Sequence, residues 1–353
     1  MSKVAIGMSG GVDSSVAVHL LQAQGHEVVG IHMLLTPGSS RDAQAAKDAA
    51  AVARAYGIDF HILEAQDLFR EEVIAPFADS YLYGETPNPC VRCNQRIKFG
   101  ALWREAQRLG CTMLATGHYA RILATEDGPR LARAVDPAKD QSYFLWGIPR
   151  EMLAHILFPL GDYHKDQVRA IAAELGLATA QKKESQEICF IADDDYARFL
   201  SNFCPDRLPG DGDFVDAAGT VLGRHHGAWR YTIGQRRGLG LALGHPAYVT
   251  ATDPAHNTVR VGRDAELWHE GLTARQVGAH TDATSGTALI KIRSRDQGTP
   301  GRWHIDNAQL VVQFDTPVRA ITPGQSVVLY DEADCVILGG IIDAPLLTSR
   351  KDD

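Results

Sequence analysis

The stretch Val4-Ala5-Ile6-Gly7-Met8-Ser9-Gly10-Gly11-Val12-Asp13-Ser14-Ser15 decides the fold. Its first half is a short apolar run, as a strand buried on both faces would be. The run breaks into a Ser-Gly-Gly loop, and Val16, Ala17, Leu20 and Leu21 then recur at helical spacing until Gly25. Strand, glycine loop and helix in that order make an anion site. The loop amides and the helix N-terminus point positive charge into one concavity, and Gly10 and Gly11 let the backbone approach an anion closely. Ser9, Ser14 and Ser15 add hydroxyls, and Asp13 can orient the loop or help to hold Mg²⁺. No G-x-x-x-x-G-K-[ST] is present, so the loop has no Walker lysine, and no G-x-G-x-x-G supports a dinucleotide fold.

Outward from this loop the alternation continues. Glu27 to Met33 and Phe60 to Leu63 read as strands, and Ala43 to Tyr56 as a helix. Ile97 to Leu109 reads as another helix, and Met113 to Thr116 as the strand that runs into Gly117-His118. Lys165 to Leu175 is a further helix, with Asp162 placed to cap it. Strands alternating with helices mean a parallel sheet covered by helices. Arg121 to Leu123 and Arg130 to Ala134 form a hairpin within this unit.

Near residue 200 the texture changes. Pro205, Pro209, Gly210 and Gly212 mark a boundary. Beyond it come the short β-like segments Trp229 to Ile233, Ala247 to Ala251 and Thr258 to Val261. Strands then dominate: Ala288 to Ile292, Asn307 to Phe314, Ser326 to Tyr330 and Cys335 to Ile341. Turns are expected at Gln313 to Pro317 and at Thr322 to Gly324. The fold class is therefore α/β, with a parallel-sheet domain (1–200), a small central domain (201–263) and a C-terminal antiparallel β-barrel (264–353).

The composition suits a globular protein of several domains: 353 residues, 45% hydrophobic and 22% charged. No run of about 20 apolar residues is available to cross a bilayer, and the N-terminus enters a strand without a secretory leader. A cytoplasmic protein is the expectation. A net charge of −8 argues against indiscriminate binding to nucleic acid, though not against a local basic surface. Two segments are basic. Arg224 to Arg237 holds Arg224, Arg230, Arg236 and Arg237 with His225 and His226 and no acid. Lys291 to His304 holds Lys291, Arg293, Arg295 and Arg302 against Asp296 alone. Such groups contact phosphates and set register on RNA.

Six cysteines do not make a disulfide scaffold in a chain of this length. Cys90 and Cys93 form a CxxC just before a helix, with Arg92, Arg96 and Lys98 nearby. Cys189 follows Lys182 and Lys183. Both are electropositive settings that favour a thiolate. The pair could instead be half of a zinc site or a redox couple, and Cys111 reads as a packed thiol.

The motifs Pro87-Asn88-Pro89-x-x-x-Cys93-Asn94, Ala115 to Arg121, Lys139 to Leu145, Glu184 to Ile191 and Tyr231 to Gly240 follow the phosphate loop in order. Together they resemble the bacterial tRNA-specific 2-thiouridylase family, over nearly the whole chain. The loop itself resembles that of ATP-pyrophosphatases in the adenine-nucleotide α-hydrolase-like superfamily, which split ATP into AMP and pyrophosphate. The resemblance implies an ATP site at Gly7, Met8, Ser9, Gly10, Gly11, Val12, Asp13 and Ser14, with Met33 and Gly117 beside the adenosine. It implies a nucleophile at Cys93 and a persulfide at Cys189, able to pair as a disulfide when turnover ends. Asn88, Pro89, Cys90 and His118 would lie near the target base, with Lys139, Asp140 and Gln141. Asp140 could instead serve a surface salt bridge. Arg293, Ser294 and Gln325 would meet tRNA from the barrel, and Arg236 and Arg237 from the central domain. Mg²⁺ would accompany ATP, and a sulfur-relay protein or cysteine desulfurase would supply the sulfur to a monomeric enzyme. Some family members carry aspartate where this chain has Cys90. An alternative makes Cys90, Cys93 and Cys189 ligands of an iron–sulfur cluster.

Overall fold

The computed structural model describes residues 1–177, 179, 188–191 and 195–346. Strands β1 (Lys3–Gly7), β2 (Glu27–Leu34), β3 (Asp59–Glu64) and β4 (Met113–Thr116), with the two-residue strand Ile156–Leu157, form a parallel sheet. Their order is β3-β2-β1-β4 and then Ile156–Leu157. β1 is buried on both faces. Val4, Ile6 and Met8 pack with Val16, Ala17 and Leu21 of helix α1 (Val12–Ala23) and with Ala49 and Val52 of helix α2 (Ser40–Ala55). Ala5 faces the opposite core, with Leu102, Leu114 and Trp146. Two covered faces explain the unbroken apolar run of β1. The strand order reverses between β1 and β4, so the crevice at their carboxyl ends is a switch point where such sheets bind ligands.

One long helical segment is built in three pieces: an α-helix at Pro89–Cys93, a π-helix at Asn94–Ala101 and an α-helix at Leu102–Arg108. Cys93 thus lies inside the helix rather than before it. Asn88 caps the segment by accepting from the Cys90 amide (3.2 Å), and Pro89 follows at the first position, where no amide is needed. The helix Lys165–Glu174 is not capped by Asp162, which is exposed. The buried Asp136 accepts the Lys165 amide at 2.9 Å, and the Gln167 side chain accepts the His164 amide at 2.7 Å.

The central sheet runs Tyr248–Asp253, Thr258–Gly262, Gly212–Val215, Val221–His225. The expected strand at Trp229 is a 3₁₀ turn, Ala228–Arg230. Trp229 packs with Phe77, Tyr81 and Leu200 of the first unit and donates its indole N–H to the Pro209 carbonyl.

The C-terminal sheet is a closed six-stranded barrel: Trp268–Ala279, Gln309–Arg319, Thr299–Asp306, Ser285–Lys291, Ser326–Tyr330 and Val336–Pro345. The turn expected at Gln313 to Pro317 is strand. Gln313 pairs with Gly271 and Val318 with His269, so the residues between form a bulge that accommodates a proline with no amide to donate.

The barrel and the parallel-sheet unit share a core. Val328, Tyr330 and Val336 belong to the cluster that holds Tyr143 and Trp146. Tyr143 donates to the Ser326 carbonyl (2.7 Å), Trp146 to Ser326 Oγ (3.0 Å), and Ser142 Oγ meets the Tyr330 hydroxyl at 3.0 Å.

Candidate active site

The phosphate loop folds by bonding to itself. Ser14 Oγ accepts from the Ser9 amide (3.2 Å) and donates to the Gly11 carbonyl (3.2 Å), and Ser15 Oγ donates to the same carbonyl at 2.9 Å. Gly10 has φ +68°, and a Cβ there would lie 2.4 Å from the Ala45 carbonyl oxygen of α2. Gly117, just beyond β4, presses on the loop from the other side of the crevice: a Cβ would lie 3.1 Å from the Ser14 nitrogen. Gly7 and Val12 bracket the loop on β1 and α1. The Met8 carbonyl meets His32 Nδ1 at 2.7 Å, and half-buried Met33 lies toward the end of the neighbouring strand. The loop and Gly117 therefore meet at the carboxyl ends of β1 and β4.

Asp13 brings a carboxylate to the loop. Its two oxygens accept from the Lys165 ammonium at 2.7 and 2.9 Å, and Oδ1 also accepts from the Tyr119 hydroxyl at 2.9 Å. One carboxylate beside a phosphate loop suits Mg²⁺, which commonly takes one or two carboxylates with phosphate oxygens and water.

His118 links this crevice to the thiols. Its Nδ1 lies 2.7 Å from Thr116 Oγ1 and its Nε2 lies 3.1 Å from Lys98 Nζ. Because an ammonium only donates, Nε2 accepts and the proton sits on Nδ1. Burial, and then Lys98, push the His118 pKa well down, so the ring is neutral. Lys98 also bears on Cys90, Cys93 and Cys189, favouring the thiolate of each. Burial raises all three thiols. Cys189 is pushed up to about 12, by burial first and then by Cys93 and Cys90, with Lys98 opposing. Cys90 and Cys93 share one helical segment, and both bear on the Cys189 thiol. Cys93 is buried, whereas Cys90 and Cys189 reach the surface.

The electropositive setting expected for the thiols is narrower than the sequence suggests. Arg92 and Arg96 both turn to Glu72 (3.1 and 3.6 Å), leaving Lys98, while Lys182 and Lys183 lie outside the described residues. Among the described residues, no three His, Cys, Asp or Glu side chains are grouped closely enough to hold a metal ion.

Family models match the chain in three consecutive pieces: a tRNA methyl transferase HUP domain over 2–193, a tRNA methyl transferase PRC-barrel domain over 197–263 and an aminomethyltransferase beta-barrel domain over 270–342. The tRNA-specific 2-thiouridylase MnmA of Clostridioides difficile is 43% identical over 98% of this chain and 99% of its own length. Those of Trichlorobacter lovleyi and Geobacter metallireducens are each 46% identical, over 98% of this chain and 98% and 97% of theirs. This chain belongs to the tRNA-specific 2-thiouridylase family. Among solved structures, a 4-thiouridine synthetase–RNA complex with bound ATP matches with a TM-score of 0.38 and 19% identity. It covers 58% of this chain and 51% of that one, a likeness too slight to inform the fold.

The 2-thiouridylase family's remaining motif positions fall in two places. Lys139 to Gln141 sit close to the crevice: Gln141 exchanges bonds with Tyr119 through its side-chain oxygen (2.9 Å) and its amide (2.8 Å). Asp140 is committed to its own loop, accepting from the Ala134 and Ser142 amides and the Ser142 hydroxyl. Arg293 and Gln325 line a cleft of about 370 Å³ with Thr86, Thr232 and Arg319, where all three sheets' units meet. Gln325 donates to the Thr86 carbonyl at 2.7 Å, Arg293 to that of Ala320, and the Ser294 carbonyl accepts from Lys291.

The basic clusters are thinner than their sequence implies. Asp213 pairs with Arg224 (3.1 Å) and Asp211 with His226 (2.8 Å), His225 is buried, and Lys291 is buried as well. Arg236 and Arg237 are exposed and make no ion pair among the described residues. Sequence reasoning missed Tyr119 and Lys165. Lys165 opens a helix, where a lysine ordinarily faces solvent, and only the fold brings it to Asp13, 152 residues away.

Proposed function

We propose that this protein uses ATP to replace the O2 oxygen of the wobble uridine (position 34) of tRNA with sulfur, giving 2-thiouridine, AMP and pyrophosphate. The base oxygen is a poor leaving group. Attack of that oxygen on the α-phosphorus expels pyrophosphate into the loop Ser9–Ser15 and makes the oxygen part of AMP. The terminal sulfur of a Cys189 persulfide then adds at carbon 2, and AMP departs with the oxygen. Cys93 thiolate attacks the inner sulfur of the persulfide, leaving a Cys93–Cys189 disulfide and the sulfur on the base. In the other order, Cys93 first frees hydrosulfide, which attacks carbon 2 itself. Mg²⁺ at Asp13, when bound, would screen phosphate charge.

The observation that supports this reading is the position of Lys98, which shares its helical segment with Cys90 and Cys93 and bears on Cys189 as well. Lys98 holds His118, which is adjacent to the Gly117 that braces the phosphate loop. Asn88, Pro89 and Cys90 open the same helix and would flank a flipped base, whose extrusion is easier from a single-stranded loop. Arg236, Arg237, Arg293, Ser294 and Gln325 would carry the tRNA across units 201–263 and 264–353. A persulfide-donating relay protein or cysteine desulfurase would load Cys189, in the cytoplasm, on a monomer.

The test combines nucleotide analysis with mass mapping of labelled sulfur. Wild type should give tRNA-dependent AMP and pyrophosphate. Cys189→Ala should lose thiolation and persulfide together. Cys93→Ala should lose thiolation yet accumulate persulfide on Cys189, and Cys90→Ala should retain substantial activity. ADP as the dominant product, or persulfide confined to Cys93, would overturn the scheme. Stoichiometric iron lost with activity in Cys90→Ala would favour a cluster.

A further inference from the structure

The loop has no lysine of its own, yet a lysine stands in it. Lys165 is buried, with its side chain 7% exposed, and its ammonium bonds both oxygens of Asp13. Two further contacts fix its approach. Its own amide is held by the buried Asp136, which anchors the helix start, and its ammonium lies 5.5 Å from the centre of the Tyr119 ring. Asp13 belongs to the first turn of α1, within the stretch whose amides cradle an anion. An ammonium that chelates Asp13 is therefore already at the rim of that cradle, from an element wholly outside the loop.

An ion pair with its ammonium buried is weak evidence for stability, because desolvation offsets much of the attraction. Its placement at an anion site suggests a different purpose. Resting on the reading of the loop as an ATP site, we propose that Lys165 is the phosphate-binding cation of this protein: its ammonium turns from Asp13 to the β- and γ-phosphates. Asp13 is then the counter-ion that keeps the ammonium buried and in place before nucleotide arrives. The cation gives the departing pyrophosphate a charge partner, and Tyr119 keeps Asp13 aligned when Lys165 leaves it.

Calorimetric binding of pyrophosphate, ATP and AMP tests this without thiolation. Lys165→Met should weaken pyrophosphate and ATP by about 10- to 100-fold, the worth of one charged hydrogen bond, and AMP by less than about threefold. Asp13→Asn, measured without Mg²⁺, should bind pyrophosphate at least as tightly as wild type, because the ammonium is no longer shared. The double variant Lys165→Met/Asp13→Asn removes both charges of the pair and guards against misfolding. It should fold as wild type does by circular dichroism and still bind pyrophosphate weakly. Equal losses for AMP and pyrophosphate in Lys165→Met, or equal pyrophosphate losses in Lys165→Met and Asp13→Asn, would make the pair a structural clasp and overturn the inference. Wild type that binds neither ATP nor pyrophosphate would instead defeat the reading of the loop itself.

Discussion

Gly10 and Gly57 form a matched pair for measuring how tightly α2 closes the phosphate loop. Both have left-handed backbones, φ +68° and +62°. Alanine at either position meets the left-handed penalty of about 1–2 kcal/mol, offset by roughly 0.4–1 kcal/mol from a less flexible unfolded chain. A Cβ added at Gly57 would have nothing within 4 Å, so the cost of Gly57→Ala should stop there. At Gly10 the same carbon falls 2.4 Å from Ala45 O and 3.0 Å from Ala45 Cα. That neighbour is helix backbone, which cannot rotate away. Overpacking of this kind adds about 1–3 kcal/mol. For a domain of this size, each kcal/mol is worth about 2–4 °C. Gly10→Ala should therefore melt roughly 2–12 °C below Gly57→Ala by differential scanning calorimetry. It should also lose ATP affinity by about 10- to 100-fold, since sub-ångström misplacement of binding groups is costly, while Gly57→Ala binds as wild type does. Melting of the two variants within about 1 °C of each other, with equal ATP affinity, would refute the close approach of α2.

Two other outcomes are expected. Replacing Arg236 and Arg237 with alanine should weaken tRNA binding and reduce the slope of log K against log salt by roughly 1.4–1.8, for two lost phosphate contacts; an unchanged slope would leave them as solvated surface. Because the Cys189 thiol is pushed up to about 12, its alkylation by iodoacetamide should accelerate about tenfold per pH unit from about 7 to 10 without levelling, as the thiolate fraction grows. A plateau within that range would mean a thiol much more acidic than its surroundings imply.

The parallel sheet and the phosphate loop were legible because their signals are local. Val4 to Met8 is apolar throughout, the glycines follow at once, and Val16, Leu20 and Leu21 keep helical spacing. Signals that depend on distant partners were not legible. Thr299–Asp306 buries only Gly301 and Trp303, so its proline, glycine and charges hide a barrel strand. The same holds for Trp268–Ala279, whose alternation is broken by bulges. Trp229 reads as strand until its pocket among Phe77, Tyr81 and Leu200 is known. Arg224 reads as free until the strand carrying Asp213 lies beside it. At the site, Cys93 and Cys189 were found by their motifs, but their protonation depends on burial and on Lys98, which only the fold supplies.

The shared core of the first unit and the barrel sets a schedule for synthesis. Trp146 must wait for Ser326, 180 residues downstream, before its indole N–H has a partner. At ribosomal rates of about 5–20 residues per second, that wait is roughly 9–36 s. Throughout it, the nascent unit carries Tyr143 and Trp146 on an unfinished face, open to chaperones and to other nascent chains, until the last strands arrive to cover them.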